Sequence, residues 1–234
     1  MIPIVAGIII AVFIIVFVYA LIKGTKDFDR LRAETLDEFA AINGFASGDA
    51  HPFNLREKIR NFSIIGVAEN TIAHAAWKDV DGVKFYVFDQ VRVTKGGSST
   101  RGGLLTICLA EAGADLGPDT VVFTAQSRME ANLSRSMAGG RLGLSSVTFG
   151  DKDFDNGFVV FSQAPNATRR VFNDRFKIFL KTETKKISMP VTIQIRGNRI
   201  AVHNTGDRPK TMKKAEEIYS LYVLAKGVLN ALCA

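Results

Sequence analysis

The start of the chain lacks charge. Between Met1 and Ile22 there is no Asp, Glu, Lys, Arg, His, Asn or Gln, and the first charged side chain is Lys23. A helix rises about 1.5 Å per residue, so this stretch matches a hydrocarbon core of roughly 30 Å. No second window of about 18 apolar residues exists. The sequence therefore predicts one transmembrane helix over residues 1–22.

A cleaved signal peptide is the main alternative for this stretch. It would need a positively charged beginning, a shorter apolar core and a cleavage site flanked by small residues. No charged side chain precedes the apolar run, and Val18, Tyr19 and Ala20 form a poor cleavage site. An uncleaved anchor is the favoured interpretation.

Basic residues follow the apolar stretch, and none precedes it. They are Lys23, Lys26, Arg30 and Arg32. Flanking Lys and Arg remain on the cytoplasmic side, which predicts a single-pass protein of the inner (plasma) membrane with its N-terminus outside and its C-terminal domain in the cytoplasm. Gly7 and Ala11 form a small-residue pair that could pack against a neighbouring membrane helix.

Cysteine and histidine are scarce, with two and three residues respectively. Cys108 lies in an apolar run typical of a buried strand, and no Cys/His spacing matches a metal site. No nucleophile elbow and no paired-carboxylate motif is present. The sequence therefore assigns no catalytic residue and no cofactor.

The remaining chain is long enough for one domain with a sizeable core. Residues 23–50 read as a juxtamembrane amphipathic helix or linker, and residues 51–234 as an α+β domain. The expected fold is a mostly antiparallel sheet with helices packed on one face.

Two hairpins stand out in the strand pattern. Asp79–Gly82 contains an Asp-Gly turn before a run of alternating residues, and Arg196–Asn198 separates two further short strands. The glycine-rich stretch Lys95–Gly103 lacks the order of a phosphate-binding loop and is expected to be a flexible hairpin tip. One helix is predicted over Asn166–Thr184 and a final one after Pro209.

An acidic turn gives a weak calcium signal. Asp151, Asp153 and Asp155 match the first three ligand positions of an EF-hand loop, but Asn156 and Ser162 occupy the positions that need Gly and Glu. A polar turn whose Phe154 and Phe158 pack in the core is the competing interpretation.

Basic side chains cluster on the predicted helix near residues 169–186. The set is Arg169, Arg170, Lys177, Lys181, Lys185 and Lys186. They could form an ordinary solvated helix face, or a surface that binds acidic lipid headgroups or an acidic partner. The formal net charge of +7 agrees with either. No nucleic-acid-binding motif accompanies it, so no nucleic acid is expected as a partner.

The stretch Phe154–His203 contains the patterns F-D-x-x-F-V-V-F-S, R-R-V-F-x-x-x-F and V-T-I-Q-I-R-G-N-R-I-A-V. It resembles the C-terminal module of uncharacterised bacterial proteins with one membrane helix and a cytoplasmic α+β domain. The hairpin Asp81–Asp89 is also similar to one in those proteins. The resemblance concerns core positions over about half of the chain and implies no reaction.

Two hypotheses for function follow. The first is a non-enzymatic accessory or scaffolding subunit of a larger membrane protein complex, acting through lipid and protein contacts. The second is a membrane-tethered enzyme or ligand-binding domain of unknown substrate.

Overall fold

One antiparallel sheet organises the protein in the computed structural model, which describes residues 30–62, 72–96, 99–204 and 215–233, without the side chains of 91–104 and 137–141. Its nine strands are β1 (Ala46–Asp49), β2 (His74–Val80), β3 (Val83–Gly96), β4 (Ser99–Glu111), β5 (Thr120–Thr124), β6 (Ser145–Val147), β7 (Phe158–Ser162), β8 (Val191–Arg196) and β9 (Arg199–Asn204). Their spatial order is β1-β2-β3-β4-β9-β8-β5-β7-β6, and neighbouring strands run antiparallel. The late hairpin β8–β9 therefore lies in the middle of the sheet.

Helices surround the sheet. They are α1 (30–43), α2 (Leu55–Ile59) after a 3-10 turn (His51–Phe53), α3 (Arg128–Leu142), α4 (Lys152–Gly157), α5 (Pro165–Val171), α6 (Asp174–Lys185) and α7 (Ala215–Cys233). The amphipathic segment assigned to residues 23–50 thus contributes α1 and β1, and Leu36 and Phe39 of α1 are buried in the main core.

The two faces of the sheet bury different cores because side chains alternate along each strand. In β3, Phe85 and Val87 join the main core with α1, α6 and α7. Tyr86 and Phe88 of the same strand join a second core with Leu55 and other residues of α2. A third, smaller core lies under α3.

The α+β class with an antiparallel sheet is thus confirmed, whereas the expectation of helices on one face is wrong. The alternating pattern in β3 already placed apolar residues on both faces. Each face needs helices to cover it, since removing its apolar side chains from water stabilises the fold.

Both predicted hairpins are present. Asp81 and Gly82 form the two-residue turn between β2 and β3 with φ of 54° and 80°, which suits a residue pair that tolerates the left-handed region. The Asp79 carboxylate accepts a hydrogen bond from Gly82 N at 3.1 Å. The predicted flexible tip Lys95–Gly103 is shorter than expected, because Gly96 already pairs with Ser99.

The single helix predicted over Asn166–Thr184 is two helices. α5 ends at Val171, and Asn173 begins α6 as its N-cap, where its side chain accepts a hydrogen bond from Phe176 N at 2.9 Å. Asn166 lies inside α5 and does not cap it. The apolar spacing continues across the break because Phe172 and Phe176 both enter the main core.

The prediction of a single-pass membrane protein is corrected. Across 30–62, 72–96, 99–204 and 215–233, none of the helices has both the length and the apolar character needed to cross a bilayer. The described residues therefore form an α+β fold, and the inner-membrane location, which rested on the predicted helix, is withdrawn. The predicted span 1–22, its pair Gly7 and Ala11, and the flanking Lys23 and Lys26 lie outside the described residues.

Candidate functional site

Two of the four cations predicted to flank the membrane helix, Arg30 and Arg32, lie among the described residues, and they differ in burial and in partner. Arg30 is exposed and forms an ion pair with Glu34 at 3.5 Å within α1. Arg32 is only 7% exposed, and its Nε donates to the Asp89 Oδ2 at 2.6 Å. Arg32 therefore binds a carboxylate in the interior of the domain, and its predicted role as a membrane-flanking residue stays a prediction.

The predicted basic surface is formed by α5 and α6, and we call it the α5–α6 surface (residues 165–186). It contains seven basic and two acidic side chains. Some of the basic ones have internal partners. Arg169 Nε donates to the Thr148 carbonyl at 3.0 Å, and Lys186 pairs with Glu183 at 2.8 Å.

Lys177 and Lys181 are partly neutralised. Lys177 is 9% exposed and lies 2.8 Å from Asp174 and 3.7 Å from Asp151. Lys181 lies 3.6 Å from the same Asp151 carboxylate. These two lysines act mainly in joining α6 to the start of α4.

Three cations on this surface have no such partner. Arg170, Arg175 and Lys185 are exposed, and none of them forms an ion pair with another residue in the described part of the chain. Ile178 of α6 has 63% of its surface exposed. Arg175, Lys181 and Lys185 lie three residues before, three after and seven after Ile178, so they share its helix face.

A groove continues this surface at the C-terminal end of α6. Its volume is about 490 Å³. Its polar lining includes Lys181, Lys185 and the acidic Asp153, and Ile187, Met189 and Pro190 line the apolar part. The surface therefore combines unpaired positive charge, one exposed aliphatic side chain and an apolar groove.

The weak calcium candidate is occupied by backbone contacts. Asp151 is the N-cap of α4 and accepts from Phe154 N at 3.0 Å, which, with the nearby Lys181 and Lys177, holds its pKa below the usual range. Asp155 accepts from Phe149 N at 3.1 Å and from Gly150 N at 3.0 Å. Asp153 lies on the exposed side of α4. No cluster of three potential metal ligands occurs among the described residues.

A second cavity, of about 190 Å³, opens on the face of the sheet that carries α2 and α3. Its lining includes Phe62, Asp119, Leu142, Leu144, Gln163, Gln194 and Arg196. These residues come from five separate parts of the sequence, and no local motif marks them. Sequence reasoning missed this cavity entirely.

Three groups whose pKa is raised by burial lie away from both cavities. Burial raises the pKa of Cys108, Tyr86 and Asp89, and none of these three lines either cavity. The buried His203 lies behind Gln194, as a structural residue of β9.

The fold is that of an α+β protein with a central antiparallel sheet covered on both faces, and a solved structure shares it. The crystal structure of the mycobacterial trehalose monomycolate transport factor A, TtfA, matches with a TM-score of 0.55 at 12% identity, covering 86% of this chain and 93% of that one. At this identity the likeness shows the fold alone. No family model matches the chain, and no curated protein matches it by sequence.

Proposed function

We propose that this protein is a non-enzymatic accessory subunit of a larger protein complex and that it binds an acidic segment of its partner through the α5–α6 surface. The observation on which this rests is the set of three exposed, unpaired cations on this surface, Arg170, Arg175 and Lys185, two of which, Arg175 and Lys185, share the α6 face of the exposed Ile178. Unpaired charge of one sign speeds encounter with an opposite charge and selects against wrong partners.

The exposed Ile178 supports a protein partner. A partner side chain packed on an isolated aliphatic group surrounded by charges would exclude water from the centre, while the rim supplies the polar contacts. The groove beside Lys181 and Lys185 extends the apolar contact toward Met189. The partner segment we expect is an amphipathic one with acidic and aliphatic residues.

The first experiment places a photo-cross-linking amino acid at Ile178 in cells, with the same substitution at the exposed Leu133 of α3 as its matched control. We expect one stoichiometric adduct at Ile178 whose cross-linked peptide is rich in Asp and Glu, and none at Leu133. Equal adducts at both positions, or none at Ile178, would overturn the proposal.

The second experiment reverses three charges on the α5–α6 surface and, as a control, three charges elsewhere. Arg170→Glu, Arg175→Glu and Lys185→Glu together should weaken binding of the cross-linked partner by about tenfold or more. The matched control Arg56→Glu, Arg60→Glu and Lys84→Glu changes net charge equally on other exposed surfaces and should leave binding unchanged.

Acidic lipid is the competing target of the same cations. If the α5–α6 charge reversal abolishes flotation with vesicles containing acidic phospholipid but leaves protein partners unaffected, a lipid surface replaces the proposed partner.

A further inference from the structure

The cavity of about 190 Å³ lies on one face of the sheet, between α2 and α3, which both cover that face. Phe62 follows α2 on one side, and Leu142 and Leu144 at the end of α3 stand on the other. Val121 of β5 and Gln194 of β8 line it from the sheet, where they are paired across the strands. The cavity is smaller than the roughly 300–1,000 Å³ typical of sites for drug-sized ligands. A single small ring fits it.

A buried amide lies at the base of this cavity. Gln194 is 2% exposed, and its Nε2 lies 3.2 Å from Nε2 of His203, which is fully buried. His203 Nδ1 lies 2.9 Å from the Asn204 carbonyl, a contact that needs a hydrogen on Nδ1 and leaves Nε2 to face the amide. The imidazole thus fixes the orientation of the Gln194 amide before any ligand arrives.

The charged groups at the rim cancel each other. Arg196 Nε lies 3.4 Å from Asp119 Oδ2, and Arg196 also donates to the Asn61 carbonyl at 2.5 Å. An ion entering here would have to break this pair, whereas a neutral ligand leaves it intact. The exposed Gln163 adds a second amide, so the rim offers both donors and acceptors.

These features define the chemistry of the ligand. Hydroxyl groups donate and accept at once, which matches the mixed amide, carboxylate and guanidinium groups. Apolar walls formed by Phe62, Leu142 and Leu144 suit a ring whose C–H faces can pack against them. We propose that this cavity binds a neutral polyhydroxylated ring, the size of one hexose unit, between α2 and α3.

Saturation-transfer NMR on the full chain tests this inference with four probes: D-glucose, D-galactose, glycine and inorganic phosphate. We expect signal transfer to at least one hexose with a dissociation constant on the order of 1 mM, and none to glycine or phosphate. Absence of transfer to both hexoses would overturn the inference. Binding of glycine or phosphate in their place would overturn the assigned ligand class.

Two variants locate the binding. Gln163→Trp places a bulky ring at the exposed rim and should lower hexose affinity by about tenfold or more, as should Gln194→Leu at the base. If Gln194→Leu fails to fold, Gln163→Trp alone decides, because its side chain lies outside the core. Undiminished hexose binding by Gln163→Trp would overturn the inference. Arg170→Ala on the α5–α6 surface is the control and should bind hexose normally, so this test is independent of the proposed partner binding.

Discussion

At the scale of single residues, a buried ion pair joins α1 to the sheet. Arg32 donates to both oxygens of Asp89 at 2.6 Å, and Thr106 Oγ1 donates to Asp89 Oδ1 at 2.7 Å. Burial raises the pKa of Asp89, and the guanidinium and the hydroxyl offset only part of that effect. The Asp89 carboxylate therefore depends on Arg32 for its charge to be tolerated in the interior.

Removal of Arg32 should destabilise the fold strongly. We expect Arg32→Met to lower the free energy of unfolding in urea at pH 8 by about 3–5 kcal/mol, because it leaves a buried carboxylate without a counterion. The loss should be smaller at pH 5, since the raised pKa of Asp89 rises further without Arg32 and protonation removes the unpaired charge.

Two further variants control this measurement. Arg30→Met removes the exposed pair with Glu34 and should change the free energy of unfolding by less than about 1 kcal/mol. Adding Asp89→Leu to Arg32→Met should restore much of the lost stability. An equal loss in Arg30→Met and Arg32→Met would contradict the assignment of the buried pair.

The sequence could not reveal the role of Arg32. The residue stands among other cations just after an apolar stretch, and the local charge pattern is the same whether its partner is water, lipid or a carboxylate. Its true partner, Asp89, is 57 residues away along the chain. Asp89 lies in the hairpin Asp81–Asp89 noted from the sequence, and the local pattern of that hairpin does not indicate Arg32 as its partner.

At the scale of elements, α6 and α7 approach each other closely enough to require glycine. A Cβ built on Gly227 of α7 would overlap the end of the Phe179 ring on α6. The two helices pack together beside the main core, and Phe176 and Phe179 stack with ring centroids 6.1 Å apart. Gly227 thus allows an aromatic ring to lie directly on the backbone of a long helix.

We predict that Gly227→Ala changes the free energy of unfolding in opposite directions in the wild-type protein and in a Phe179→Ala variant. Gly227→Ala should destabilise the wild-type protein by about 1–2 kcal/mol, because overpacking outweighs the gain in helix propensity. In a Phe179→Ala background, Gly227→Ala should stabilise by roughly 0.5–1 kcal/mol, since only the propensity term remains. Urea unfolding of all four proteins gives the coupling, and additive effects would contradict the close contact.

Elements defined by local chemistry were predicted best. The Asp81–Gly82 turn and the β8–β9 hairpin follow from neighbouring residues alone. The break between α5 and α6 was missed, because the apolar residues Phe172 and Phe176 keep helical spacing through it and only the capping Asn173 marks it. β1 was missed as well, because four residues of mixed exposure give no alternation to detect.

At the scale of the whole molecule, the sheet and α7 make one cooperative unit. α7 contributes buried residues to the main core over most of its length and contacts β3, β4 and β9. No local pattern predicts the strand order, since which strands pair across long distances depends on the whole chain. The cavity between α2 and α3 depends on that strand order and therefore could not be predicted from the sequence either.

Unfolding should therefore be a single transition. Trp77 in β2 is the one tryptophan of the chain and reports on the first half of the sheet. In a Trp77→Phe, Phe123→Trp variant, fluorescence reports on β5 in the second half. After normalisation for overall stability, both proteins should show urea transitions that coincide with their loss of circular dichroism. A separate early transition for either half would contradict one continuous unit.

The central position of the hairpin β8–β9 also has a consequence for synthesis on the ribosome. One edge of β4 and one edge of β5 stay unpaired until residues 191–204 have been made, because β9 pairs with β4 and β8 pairs with β5. Until then the nascent chain presents two unpaired strand edges. Such edges template association between chains. Holdase chaperones should therefore engage the nascent polypeptide between the completion of β5 and the emergence of β9, and release it afterwards.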